Sequence, residues 1–89
     1  MVEKVEEKTI REVTVLLDSV DKVKDFVSIV SGYHAEMELI SGRGVLDAKS
    51  IMGILCANLS KPFTLRIHEG QERAEKIVNA VGQFVLERV

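Results

Sequence analysis

Tryptophan is absent from this 89-residue sequence, and cysteine and proline each occur once. The lone thiol, Cys56, has no partner for an internal disulfide, so the fold carries no covalent staple and suits a reducing compartment. Aromatic residues are only 4% of the chain, which leaves Val, Ile, Leu and Ala to fill the core. No apolar run approaches the ~18 residues that a membrane span needs. The opening Met-Val-Glu-Lys and its mixed charges offer no apolar signal region. A cytoplasmic location with no membrane contact is the expectation. Neither charge sign dominates: 12 basic residues face 14 acidic ones, and a net charge of −2 argues against a nucleic-acid surface. Repeats, linkers and low-complexity tracts are also missing, so residues 1–89 read as one domain with 1–8 as a polar lead-in.

The hydrophobic fraction, 46%, is too high for a disordered chain. A domain of this size buries only about two-thirds of its unfolded surface, so its elements must pack closely. From Thr9 to Leu17, Val13, Val15 and Leu17 alternate with other residues, and β-branched side chains predict a strand. Asp18 and Ser19 offer capping oxygens for a helix carrying Val20, Val23, Phe26, Val27 and Val30 at helical spacing. Ser31-Gly32 ends it, with the glycine expected as a left-handed cap. Tyr33, Ala35, Met37 and Leu39 then alternate with His34, Glu36 and Glu38, the pattern of a second strand. Ser41-Gly42 turns the chain into a short return strand from Arg43 to Leu46.

Ser50 can cap a short helix from Ile51 to about Ala57, and 58–62 reads as a loop. Phe63, Leu65 and Ile67 alternate with Thr64, Arg66 and His68 as a fourth strand, which Gly70 breaks. The stripe Ala74, Ile77, Val78, Val81 and Val85 predicts a last helix from about Gln71 to Glu87. The order is βαββαβα, and each strand has one apolar and one polar face. The expected class is α+β: a four-stranded antiparallel sheet with three helices on one face and the other face open.

The run Asp47-Ala48-Lys49-Ser50-Ile51-Met52-Gly53-Ile54-Leu55 resembles the regulatory serine segment of the histidine-containing phosphocarrier proteins (HPr) of the bacterial sugar phosphotransferase system. The element order is similar to that family's open-faced β-sandwich, and residues 33–39 and 41–43 resemble its second strand and hairpin turn. The resemblance spans residues 9–88; the Lys-Ser-Ile-Met-Gly core is its specific part. It implies a regulatory phosphate on Ser50, which Lys49 could help to hold, and a partner-docking patch of Lys49, Ile51, Met52 and Leu55; so short a helix cannot bury all its apolar residues, and Ile54 reads as the core one.

The family's phosphorylated run, Gly-(Leu/Ile)-His-Ala-Arg-Pro-Ala, is replaced here by Leu17-Asp18-Ser19-Val20-Asp21-Lys22-Val23. Counting back from Ser50 puts Ser19 at the place of the histidine, Asp21 at the arginine and Lys22 at the proline. A relay needs a nucleophilic imidazole and cationic or N–H groups to hold the anion. Asp18 and Asp21 suit the positive end of a helix but repel an incoming phosphoryl group. Ser19 reads as a cap.

His34 and His68 lie on polar strand faces. In the strand order of the resembling family they are neighbours, and Glu36 could join them. Zinc wants three or four ligands, so surface histidines are the simpler reading and no metal or cofactor is expected. Cys56 reads as a small buried hydrophobe.

Two functional classes follow. One is a regulatory, non-enzymatic relative of the phosphocarrier that docks proteins through the Ser50 helix: a serine kinase, a transcriptional regulator or sugar phosphotransferase components. The other is a working phosphocarrier with an acceptor elsewhere. A third option is an interaction module with no tie to sugar transport. The open sheet face and the apolar helix patch both permit a homodimer.

Overall fold

The computed structural model describes residues 9–42 and 44–88. The expected lead-in, 1–8, and Arg43 lie outside the described residues. The elements are β1 (Thr9–Val15), α1 (Val20–Val30), β2 (Glu36–Ser41), β3 (Gly44–Asp47), α2 (Ile51–Leu55), β4 (Phe63–Glu69), α3 (Gln71–Ala80), a 3-10 turn (Gly82–Phe84) and β5 (Val85–Arg88). The sheet is antiparallel, in the order β3-β2-β4-β1-β5.

Alternation along the strands selects the face that packs. Val13 and Val15 of β1, Met37 and Leu39 of β2, and Phe63, Leu65 and Ile67 of β4 point to one side and are buried. They meet Val23, Phe26 and Val30 of α1, Ile54 of α2, and Ala74, Ile77 and Val78 of α3 in a single core. Each buried Leu, Ile or Phe side chain contributes roughly 1.5–3 kcal/mol relative to exposure. The helices therefore form one layer on the sheet, and the α+β expectation holds at that level.

The C-terminus departs from the four-stranded expectation. Helix α3 stops at Ala80, and the chain passes through the 3-10 turn into a fifth strand on the free edge of β1, with Val15 opposite Val85. The apolar stripe is compatible with helix as far as Val81, which is buried. Gly82 then weakens further helix by about 1 kcal/mol relative to Ala. Leaving the helix lets Phe84 enter the core and lets its C=O accept the Leu16 N–H at 2.9 Å. Val85 is packed against the core, but from a strand.

Two smaller expectations also change. Gly32 is not left-handed; the only positive-φ residue among those described is Gly44, at φ 151°. Ser31 closes α1 in right-handed geometry, and the Gly32 N–H bonds to the Ile29 C=O at 3.1 Å. The second strand begins at Glu36 rather than Tyr33, because the Tyr33 N–H is spent on the Val30 C=O at 3.1 Å and prolongs the helix turn.

Candidate functional site

The start of α1 is where the phosphoryl-accepting residue would stand under the resemblance. Ser19 has extended backbone (φ −149°, ψ 159°), and its Oγ accepts the Lys22 N–H at 3.2 Å. Its hydroxyl thus satisfies one of the helix's orphan donors, as a capping serine does. Lys22 Nζ donates to Asp18 Oδ1 at 2.7 Å, one helical turn away. That hydrogen bond, assisted by the lysine's charge, holds the Asp18 carboxyl below the usual carboxylate range. The lysine is committed to a carboxylate, and Asp21 adds a second negative charge in the first turn. This end carries no imidazole and no guanidinium. It is built to cap a helix.

The segment 47–56 is a tight scaffold. Asp47 Oδ1 accepts the Lys49 N–H at 2.9 Å, and the Asp47 C=O accepts the Ser50 N–H at 3.0 Å. These bonds turn the chain so that Ser50 becomes the N-cap of α2, its Oγ accepting the Gly53 N–H at 3.3 Å. A Cβ at Gly53 would lie 3.2 Å from that hydroxyl oxygen, a tight contact with the capping side chain. Ser50 is half-buried. Lys49 Nζ reaches back to the Tyr33 C=O at 2.7 Å, tying β2's approach to this turn.

The apolar residues of α2 divide by depth. Ile54 is fully buried, as expected, and Ile51 and Leu55 are half-buried against the core. The expected exposure of Ile51 and Leu55 is therefore only partial, and Met52, at 68% exposure, is the outward apolar side chain. Cys56 is exposed, not buried. It is the C-cap of a five-residue helix that turns only one residue, Ile54, fully into the core.

Helix α1 packs on α2. Its first residue, Val20, is 49% exposed although it belongs to the apolar periodicity. Val20 and Met52 are the two large apolar residues left exposed on the described helices. Sequence periodicity missed Val20 because residues of a first turn can lie beyond the edge of the layer they start.

The open face of the sheet places Glu12, Arg66 and Glu38 across three strands, with Arg66 Nε 2.9 Å from Glu12 Oε2 and Arg66 Nη1 4.0 Å from Glu38 Oε1. His68 Nε2 lies 2.7 Å from the same Glu38 oxygen. His34 does not join them: it precedes β2, is exposed, and uses its C=O to accept from Arg73 Nη2 at 3.3 Å. The register sets Glu36, the first residue of β2, opposite His68 in place of His34. Among the described residues, no group of three or more His, Cys, Asp or Glu could hold a metal ion. Likewise, no helix there is long and apolar enough to cross a membrane.

Compared with protein-family models and with curated proteins, the chain matches none.

Proposed function

We propose that this protein is an HPr-like docking module, a regulatory relative of the phosphocarriers of the sugar phosphotransferase system that carries no phosphoryl group on histidine. The observation that carries the reading is the pairing of two capped helix starts with two exposed apolar side chains. Ser19 and Ser50 each spend Oγ on an N–H of their own helix, and each precedes an element with one outward hydrophobe, Val20 or Met52. Contact with another protein would cover these two side chains. The order of β1 to β4, with β3 and β1 on the outsides, is compatible with the open-faced β-sandwich of that family; β5 is an addition at the β1 edge.

In this reading the partners are proteins: a serine kinase, a transcriptional regulator or components of the phosphotransferase system. No cofactor takes part. A phosphate on Ser50 meets the Gly53 N–H already aimed at Oγ, and a negative group at a helix start gains roughly 0.3–1 kcal/mol. It also places two negative charges beside Met52, so docking becomes switchable.

The test is ATP with the serine kinase of the resembling family. Label on Ser50 that disappears in Ser50→Ala is the expected result. No incorporation, or incorporation unchanged in Ser50→Ala, removes the regulatory role.

A further inference from the structure

Among the described residues, strand β3 is the last of the sheet and has a neighbour, β2, on one side only. The Ala48 N–H donates to the Met37 C=O at 3.2 Å, and this sets the phase of the ladder. In an antiparallel pair, bonded and non-bonded positions alternate. Leu46 and Gly44 therefore exchange bonds with Leu39 and Ser41, while Val45 and Asp47 turn their main-chain groups to the outer edge. The Asp47 C=O is taken by the Ser50 N–H at 3.0 Å. The Val45 N–H and C=O and the Asp47 N–H are left facing outward, three groups that an added strand can use.

A groove of about 700 Å³ adjoins this edge, between β3 and the end of α2. Leu46 and Phe63 give it apolar wall; Gly53 and Cys56 bound it on the α2 side. Lys61 is the only charged residue among the described residues lining it. No carboxylate among the described residues lies in ion-pair reach of Lys61. An isolated ammonium beside an apolar trough is complementary to an acid on the occupant.

We propose that the outer edge of β3 and this groove bind an extended segment of another protein as a sixth strand, with small apolar side chains in the groove and a carboxylate against Lys61. Main-chain bonds at Val45 and Asp47 hold the segment, the trough reads its alternate side chains, and Lys61 sets its register. Neither Val20 nor Met52 lines this groove, although Cys56 lies one turn from Met52, and the proposal does not depend on the reading given to them.

A phage library of random linear peptides, panned on the intact protein, supplies the probe. Selected sequences are expected to alternate apolar and polar residues and to carry Asp or Glu. A synthetic copy should shift the Val45 and Asp47 amide resonances and shield the Cys56 thiol from a maleimide. Val45→Pro, which removes an outward N–H that the ladder does not use, should weaken binding about tenfold or more, the loss of a main-chain hydrogen bond and its neighbours. Lys61→Glu should weaken it and select for basic peptides instead. If Val45→Pro does not fold, Cys56→Trp fills the groove from an exposed position and should give the same loss. The proposal is overturned if no sequence is enriched, or if the selected peptides bind without moving these resonances or ignore the variants. It is equally overturned if the β3 edge is occupied by a second copy, seen as self-association that Val45→Pro abolishes.

Discussion

The rings of Phe26 and Phe84 meet edge to face, 5.9 Å apart between centroids and at 78°. One comes from the middle of α1, the other from the 3-10 turn that diverts the C-terminus into β5. The contact joins the first helix to the last strand connection and is one that the chain gains by leaving its helix at Ala80. Phe84→Ala should cost about 3–5 kcal/mol, since it removes a buried aromatic and leaves a cavity. Chemical denaturation should show this as a lower midpoint. Amide exchange in β5 should accelerate, because the strand's anchor is gone.

Ser19 offers a sharper comparison. Ser19→Ala deletes the hydroxyl that accepts the Lys22 N–H and should cost about 1 kcal/mol. Ser19→Asp should retain most of the stability, because a carboxylate caps equally well. A residue whose main duty was phosphoryl acceptance would not show that order. Thermal melts of the three proteins check it.

The Asp18–Lys22 pair predicts a pH response of known sign. The folded carboxyl titrates below its unfolded value because Lys22 donates to it. Its stabilisation is thus fully present above the unfolded value, near 3.8, and is lost as pH falls through the lower folded one. The carboxylate is exposed, so the effect on overall stability is small. Carboxyl-detected NMR titration is the direct measurement. Lys22→Met should move the Asp18 midpoint up toward the ordinary carboxylate range.

Gly44 sits at φ 151°, a conformation that side chains other than glycine rarely adopt. There is open space around it, so Gly44→Ala isolates backbone strain from steric clash. It should destabilise by about 1–3 kcal/mol. Gly42→Ala, also in open space but without a positive φ, should be close to neutral. Urea midpoints of the pair distinguish the two roles.

Much of the fold was legible because it follows from periodicity. The alternation of Phe63, Leu65 and Ile67 became a buried strand face, and Val23, Phe26 and Val30 became the buried stripe of α1. Ser19 and Ser50 cap the helices that follow them, as their side-chain chemistry suggests. The C-terminus was not legible, because Val81 and Val85 satisfy a helical period as well as a strand's. Long-range features, the pairing edge of β1 and the core site that Phe84 fills, decide between them. His34 and Cys56 failed for a related reason. Alternation in the sequence runs past the residues where hydrogen bonding starts or stops, and a five-residue helix cannot bury residues on all its sides. At the candidate site, the Ser50 turn was visible in sequence, whereas the outward edge of β3 and the exposure of Val20 depend on what does not pack beside them.

The most direct measurement is phosphoryl transfer itself. The protein is incubated with phosphoenolpyruvate and the first enzyme of the sugar phosphotransferase system, then examined by mass spectrometry and by acid treatment. A capped, acid-flanked Ser19 and two histidines of which neither caps a helix predict no acid-labile phosphate. A phosphoryl group recovered on a ring nitrogen of His34 or His68 would contradict the docking-module reading outright.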